Sequence, residues 1–417
     1  MPTSVRPQTF RNGEVHDWYR LVLGFSDHLV ADIIHEFQLR PGSTVLDPFC
    51  GSGTTAVECK KLGVDCWAID ANPASCFAAR VKTNWRLLPA RLIAAADQVC
   101  AAFPGVRSAR DALTSDPTYR YLEGSGMLDR GWISKARLWD ILAIKAAVRR
   151  LRAGSEYKDA LLLAAMNELV HTASNVRFGP ELYCSTKRER VDVLKYFRAH
   201  VAQMAEDLKV ARTPRASSTH VALGDSRRLS RSWLHAPRGG FDAVVCSPPY
   251  PAEHDYTRNA RLELAFLEHV TDLDSLRQIK KTMVRSHTKG IYLSDTDSEV
   301  VDGNLRIVRL AHRIETKARA KTYGFARLYG KVTKEYFGGM KRHLSTLQPL
   351  LKKGARCAYI VGDQASYFRT RIPTAEILAD IAAEVGFTVE DIRVWRRRRA
   401  TSTHRLLAEN VLLFRKQ

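Results

Sequence analysis

The stretch STVLDPFCGSGTT, residues 43–55, constrains the fold of this chain more than any other part of it. TVLD is a short apolar strand that ends in an acid, and PFCGSG is a tight, glycine-rich turn. The next segment, TTAVECKKLG, has the apolar spacing of a helix and a glycine as its stop. VDCWAID is then a second strand, which ends in Asp70. This order of strand, glycine loop, helix, strand and acid predicts the first half of a doubly wound nucleotide-binding sheet.

Three ligands compete for this loop. A phosphate-binding P-loop requires a lysine that the loop lacks. GSGTTA formally satisfies a dinucleotide fingerprint, with Asp70 where a ribose-binding acid belongs. An S-adenosylmethionine loop also explains Asp47 and Phe49, because an acid at the strand end attracts the methionine ammonium and would repel a pyrophosphate. Gly51 and Gly53 would then let the backbone approach the ligand, and Asp70 would bind the ribose hydroxyls. A glycine turn without a ligand is the remaining alternative.

VLDPFCGSGTT and the later AIDANP resemble the cofactor motifs of the amino methyltransferases that act on DNA bases, the cytosine-N4 and adenine-N6 enzymes. This resemblance implies S-adenosyl-L-methionine as cofactor and adds Thr54 and Asn72 to the expected binding residues. The segment at Phe25–Asp27 is similar to the part of the family that closes over the methionine end. Asp225 stands where the family has an acid near the cofactor adenine, although Gly-Asp is also a common turn pair.

The run FDAVVCSPPY, residues 241–250, is an apolar strand that stops at two adjacent prolines. Proline fixes φ and removes a backbone donor, so the turn is rigid. Ser247, Pro248, Pro249 and Tyr250 match the family's catalytic motif, [DNS]-P-P-[YFW]. The match implies that the Ser247 side chain and the Pro248 carbonyl hold a base amino group, while Tyr250 stacks on a base flipped out of the duplex. A polyproline ligand or a plain loop is the structural alternative.

Charge supports a polyanionic partner. Lys and Arg number 65 against 44 Asp and Glu, a formal charge of +21, which favours nucleic acid. The eight cysteines form no C-x-x-C pair, so we expect no metal site. The sequence has no apolar run long enough to span a membrane and no signal-peptide core at its start, so a cytoplasmic protein without a membrane partner is expected.

The predicted fold class is α/β: a Rossmann-like class I methyltransferase sheet, doubly wound, with an antiparallel last strand and helical insertions. The catalytic domain is assigned to residues 1–80, 215–250 and 335–417. Residues 81–214 are predicted to be a helical insertion and residues 251–334 a basic insertion. Either insertion is a candidate for reading the target DNA, and DNA contact is favoured for the second because it leaves directly from the Ser-Pro-Pro-Tyr turn. Candidate contacts in the second insertion are Tyr256, Arg285, His287 and Lys289.

The predicted function is a site-specific DNA methyltransferase that acts on a flipped base, alone or beside a cognate restriction endonuclease. Serine as the first residue of the catalytic motif favours cytosine N4, and adenine N6 stays open. The alternatives are an RNA amino methyltransferase, a non-catalytic DNA-binding protein on the same fold, and a nicotinamide oxidoreductase. Asp47 and the absence of a recognisable hydride-transfer site disfavour the last of these.

Overall fold

The structure is a computed structural model that describes residues 15–19, 24–178, 182–185, 191–211, 217–319, 324–399 and 406–417. The strands in these residues are Thr44–Asp47 (β1), Asp65–Asp70 (β2), Val176–Phe178 (β3), Leu182–Cys184 (β4), Thr219–Leu223 (β5), Phe241–Cys246 (β6), Leu351–Gly362 (β7), Phe387–Arg399 (β8) and Leu406–Lys416 (β9).

The helices of the described residues surround the strands and fill the segments between them. None is both long and apolar enough to cross a membrane. Their bounds are Asp27–Glu36 (α1), Thr54–Lys61 (α2), Pro73–Lys82 (α3), Pro89–Ser108 (α4), Arg110–Thr114 (α5), Pro117–Gly124 (α6), Lys135–Arg150 (α7), Ser155–Glu168 (α8), Val193–Val210 (α9), Arg231–Leu234 (α10), Tyr256–Asn259 (α11), Arg261–Phe266 (α12), Leu273–Thr282 (α13), Leu305–Arg319 (α14), Tyr329–Leu347 (α15) and Thr374–Glu384 (α16).

Seven strands form one sheet in the order β5-β2-β1-β6-β7-β9-β8. The first five run parallel to one another, whereas β9 is antiparallel to both of its neighbours. The predicted α/β class and the antiparallel last strand are therefore confirmed. The strand order reverses between β1 and β6, and in open α/β sheets ligands bind beyond the carboxyl ends of the strands at such a point.

Both faces of the sheet are buried, which explains the nearly continuous apolar runs of its central strands. On one face, Val45, Ala243 and Val245 pack with α1 and α2. On the other face, Leu46 and Val244 pack with α14, α15 and α16. Neighbouring residues of one strand thus serve opposite layers, because side chains alternate across a strand.

A separate hydrophobic cluster joins the two predicted insertions. It contains apolar residues of α4 and α6–α9, together with Leu262, Phe266 and Val270 from the second segment. Val301 and Ile307, later in that same segment, pack instead against the sheet side. The residues that follow the Ser-Pro-Pro-Tyr turn are therefore divided between two cores.

Leu46 tests the contribution of the central strands. Its side chain is fully buried, and its backbone lies between Trp67 and Val244. Leu46→Ala should lower the apparent free energy of unfolding in urea by about 2–5 kcal/mol, because the cavity it leaves does not fully collapse. Leu293→Ala removes the same atoms from a fully exposed position and should change this free energy by less than about 0.5 kcal/mol. Equal effects of the two substitutions would contradict this description of the core.

Candidate active site

A cavity of about 410 Å³ opens at the switch point, beyond the carboxyl ends of β1, β2 and β6. The glycine loop and the Ser-Pro-Pro-Tyr turn both contribute to its wall, since they follow the paired strands β1 and β6. The predicted site residues that line this cavity are Phe49, Gly51, Thr54, Asp70, Asn72, Ser247, Pro248, Pro249 and Tyr250. The predicted residues Asp47, Gly53 and Asp225 are absent from its wall.

Asp70 holds the glycine loop in shape. One carboxylate oxygen accepts the amide N–H of Gly51 at 2.8 Å, and the other accepts that of Asn72, also at 2.8 Å. Burial raises the pKa of Asp70, while these amide bonds oppose the rise. Each carboxylate oxygen can accept more than one hydrogen bond, so Asp70 can still accept hydrogen bonds from hydroxyl groups on the cavity side.

The two glycines of the loop serve different neighbours. Gly51 lines the cavity with a φ of 50°. Gly53 has a φ of 86°, and a Cβ there would lie 2.9 Å from the Cβ of Ala79 in α3. Both positions use the left-handed region that glycine tolerates. Gly53 therefore allows the loop to pack closely on α3. Of the two glycines, only Gly51 lies on the cavity wall, where a ligand would approach.

Asp47 lies behind the loop. It is fully buried at the end of β1, and its Oδ1 accepts the amide N–H of Phe49 at 3.1 Å. Its Oδ2 has no hydrogen-bond partner among the described residues. Burial raises the pKa of Asp47 to about 7. In this structure Asp47 braces the start of the loop, and its attraction for a methionine ammonium stays a prediction.

The Ser-Pro-Pro-Tyr turn is tied to both sides of the site. Ser247 Oγ donates to the carbonyl of Ile360 in the adjacent strand β7 at 3.1 Å. The amide N–H of Tyr250 donates to the hydroxyl of Tyr256 at 3.0 Å. A hydroxyl has only one hydrogen, and Ser247 uses it in the bond to Ile360. Toward the cavity, Ser247 Oγ can therefore only accept a hydrogen bond.

The segment after β5 presents Ser226 to the cavity, next to the expected Asp225. The carboxylate of Asp225 accepts from the Arg227 guanidinium at 2.7 and 2.9 Å, and it caps a short turn through the Arg227 amide. The expected contact of Asp225 with a cofactor adenine stays a prediction. Its side chain is committed to Arg227 here.

Several lining residues were not predicted as part of the site. Glu263 of α12 lines the cavity and accepts the hydroxyl of Tyr19 at 2.5 Å, and burial raises the pKa of Glu263 to about 7. Trp395, Arg398 and Glu409 enter from β8 and β9. No local motif marks these residues, because each reaches the cavity only through long-range packing.

Two of the expected DNA contacts in the second insertion are wrong. Arg285 is only 4% exposed and binds the carboxylate of Asp295 at 2.7 and 2.9 Å. His287 is also buried, and its Nε2 lies 3.5 Å from Asp255. Both side chains are therefore enclosed by the protein in this structure. Lys289 is exposed and remains a candidate, whereas Tyr256 lines the cavity itself.

A buried polar group anchors the segment at residues 15–19. His16, Asp27 and Glu58 offer possible metal-ligand atoms within 4.8 Å of one another. Glu58 Oε1 lies 2.6 Å from His16 Nε2 and 2.8 Å from the ammonium of Lys61. Since the lysine already supplies positive charge, we interpret the group as an ion-pair network that holds this segment against α2.

The raised pKa of Asp47 predicts a pH effect on stability. The folded state holds a proton that an unfolded chain, with an aspartate pKa near about 3.9, releases. The stabilisation that this proton gives is present below about pH 4 and is lost as the pH rises through about 7. Over this range, the urea midpoint of the wild type should therefore fall relative to that of Asp47→Asn, which cannot titrate.

The matched control is Asp391→Asn. Asp391 is exposed, and its hydrogen bond with Arg393 lowers its pKa. This carboxylate is therefore ionised in both states from about pH 5 to 7, and the control should run parallel to the wild type. If the urea midpoint of Asp47→Asn also ran parallel to that of the wild type over this pH range, Asp47 would be ionised in the folded protein.

Comparisons with known proteins agree with this geometry. A family model described as DNA methylase matches residues 24–80, which contain the glycine loop and Asp70. The type II methyltransferase M.BsoBI of Geobacillus stearothermophilus is 24% identical over 438 residues, covering 96% of this chain and 84% of that protein. M.AvaI of Nostoc sp. is 23% identical over 412 residues, covering 90% and 80% respectively. M.MjaII of Methanocaldococcus jannaschii is 46% identical over 41 residues, 10% of this chain and 8% of that protein. The glycine loop, the strand order and these relatives, which match over most of their length, support the amino-methyltransferase family of DNA methylases as the one that this chain resembles.

Proposed function

We propose that this chain transfers a methyl group from S-adenosyl-L-methionine to the exocyclic amino group of a DNA base, with cytosine N4 as the target. One observation carries the proposal. The glycine loop after β1 and the Ser-Pro-Pro-Tyr turn after β6 line a single cavity, because the two strands are paired. A cofactor-binding loop and an amino-group acceptor therefore face the same space.

The cavity wall fits the cofactor in its chemistry. The carboxylate of Asp70 would hold the ribose hydroxyls, and the Gly51 backbone would lie against the ligand without a side chain in between. Phe49 offers an aromatic surface, which packs edge-on to His343 with ring centroids 4.8 Å apart. When bound, S-adenosyl-L-methionine supplies a methyl group on a positively charged sulfur.

Ser247 and Pro248 would prepare the nucleophile. The lone pair of a base amino nitrogen is delocalised into the ring, so the group attacks poorly unless its geometry becomes tetrahedral. Ser247 Oγ donates its hydrogen to the Ile360 carbonyl, so it is left as an acceptor for the base. The two prolines fix the Pro248 carbonyl, which is the second acceptor. Two fixed acceptors for the amino hydrogens would direct the nitrogen lone pair toward the methyl group, which is electrostatic preorganisation.

Tyr250 would hold the base itself. The base must leave the duplex to reach a buried cavity, and an aromatic ring offers it a stacking surface. The tie between the Tyr250 amide and the Tyr256 hydroxyl fixes the backbone that carries this ring. The formal charge of +21 favours the approach of a polyanion.

The relatives' names, type II methyltransferase, support a place beside a cognate endonuclease in a restriction-modification system, and a solitary methylase is the alternative. Methylation of adenine N6 and of an RNA amino group use the same chemistry. The serine in the catalytic motif favours cytosine among these targets, as the family resemblance implies.

The base is tested by methylation-aware sequencing of DNA from cells that express the chain, with mass spectrometry of the nucleosides. We expect N4-methylcytosine within one short recognition sequence, and none with Ser247→Ala. N6-methyladenine in its place would overturn the choice of base but keep the amino methylation of DNA. Label from tritiated cofactor in RNA alone would overturn the DNA substrate.

The role of Tyr250 is tested with two substitutions. Tyr250→Ala removes the stacking surface and should lower kcat/KM on duplex DNA by about 10- to 100-fold, since stacking on one base contributes about 1–3 kcal/mol. Tyr250→Phe keeps the ring and should stay within about threefold of the wild type. Binding of S-adenosylhomocysteine, measured by calorimetry, should be unchanged in both variants. Equal losses for alanine and phenylalanine would exclude stacking as the role of this ring.

A further inference from the structure

One wall of the cavity is a single face of the helical segment that follows the Ser-Pro-Pro-Tyr turn. Tyr256, Asn259, Ala260 and Glu263 all line the cavity, at the spacing i, i+3, i+4 and i+7. The helical hydrogen bonds continue from α11 into α12, because the Ala260 amide donates to the Tyr256 carbonyl at 3.2 Å. The apolar residues of α12 pack into the cluster that joins the two insertions. This packing fixes the face that α12 presents to the cavity.

Glu263 is a buried acid without a cationic partner. Its side chain lies in the cavity wall, and the residue is only 3% exposed. Oε1 accepts the Tyr19 hydroxyl at 2.5 Å. Within the described residues, no other side chain donates to Glu263 and no lysine or arginine forms an ion pair with it. Burial accordingly raises the pKa of Glu263 to about 7, since a lone buried carboxylate is poorly solvated. Oε2 is left as an acceptor for a group in the cavity.

The other acids in the described part of the cavity wall are already engaged. Asp70 accepts hydrogen bonds from two amides of the glycine loop. Glu409 forms an ion pair with Arg396 of the adjacent strand. Asp47 is absent from the wall, because it is buried behind the loop. Among the described acids, Glu263 is therefore the one that a cationic group in the cavity could reach and that still requires a counter-charge.

The cavity extends over both layers of the sheet, and its two sides differ in chemistry. Phe49 and Val284 line it and pack with the cluster that contains α15. Tyr19 and Ala260 line it and belong to the cluster of the insertions, which includes residues of α3. Asp70 ends β2, in the sheet that separates these layers. A ligand whose ribose is held by Asp70 would thus meet an aromatic, apolar surface on one side and an acidic surface on the other.

We propose that Glu263 binds the ammonium group at the methionine end of S-adenosyl-L-methionine, the role expected of Asp47. This inference rests on the proposed function, because it requires this cofactor with its ribose at Asp70. The ribose lies between the adenine and the methionine parts of the molecule. Adenine would then lie beside Phe49, and the ammonium would reach the acidic side of the cavity. An ammonium offers three donors and the positive charge that the Glu263 carboxylate lacks.

The test measures ligand affinity by calorimetry at about pH 8, where the Glu263 carboxylate is ionised. The ligands are S-adenosylhomocysteine and its deaminated analogue, in which a hydrogen replaces the ammonium. The wild type should bind S-adenosylhomocysteine about 10- to 100-fold more tightly than the analogue, the range typical of a hydrogen bond between charged groups. Glu263→Gln should reduce this ratio by about 5- to 10-fold, because a neutral acceptor binds about half as strongly as a charged one.

Two further substitutions provide the matched controls. Asp47→Asn neutralises the other candidate acid but keeps the oxygen that accepts the Phe49 amide, and it should keep the wild-type ratio between the two ligands. Glu299→Gln makes the same chemical change as Glu263→Gln at an exposed position and should also keep this ratio. Methylthioadenosine lacks the amino-acid part of the cofactor. Its affinity should be the same for the wild type and every variant, which shows that each variant is folded.

A Glu263→Gln variant with the wild-type ratio would overturn the proposal. A ratio lost in Asp47→Asn instead would assign the ammonium to Asp47. A wild type that binds both ligands equally would also overturn the proposal, because the ammonium would then have no charged partner in the cavity. The proposed function fails separately, through a wild type that binds neither S-adenosylhomocysteine nor methylthioadenosine.

Discussion

The parallel pairing of β1 with β6 is the constraint on which the site depends. Val45 and Leu46 of the first strand align with Ala243 and Val244 of the second, although the two strands lie far apart in the sequence. Because both strands run in the same direction, the loops that follow them leave the sheet at the same edge. A further hydrogen bond, from Thr55 Oγ1 to the Val245 carbonyl at 3.2 Å, holds α2 against β6.

Acidic side chains around this edge have distinct tasks, and burial decides between them. Asp70 lines the cavity and organises the glycine loop through two amide groups. Asp47 is buried behind the same loop, where its pKa rises because the charged form is poorly solvated. Glu409 stands at the opposite side beside Tyr250, next to basic side chains. The carboxylates therefore differ in role because their surroundings differ.

The two motifs and their neighbouring elements were predictable from local patterns. The strand before the glycine loop was expected at TVLD and is Thr44–Asp47, and the run FDAVVC is the strand Phe241–Cys246. The division of the intervening segments was harder to predict. Leu262 and Val301 follow the same Ser-Pro-Pro-Tyr turn yet pack in different clusters, because amphipathic helices bury apolar faces against whichever partner the topology supplies. Arg285 shows the same limit, since a basic residue in a basic segment is buried against Asp295.

The sequence by itself determined the class of fold, the glycine loop and the rigid Ser-Pro-Pro-Tyr turn, because each is a short-range pattern of turn, strand and helix residues. The tertiary structure decided which side chains complete the cavity. Tyr19, Glu263 and the strand pair that carries Arg398 and Glu409 come from three distant parts of the chain and meet at this edge only in the folded protein. It also decided that Gly53 packs on Ala79 and that Asp225 binds Arg227. These contacts depend on distances between elements, and a linear pattern does not contain such distances.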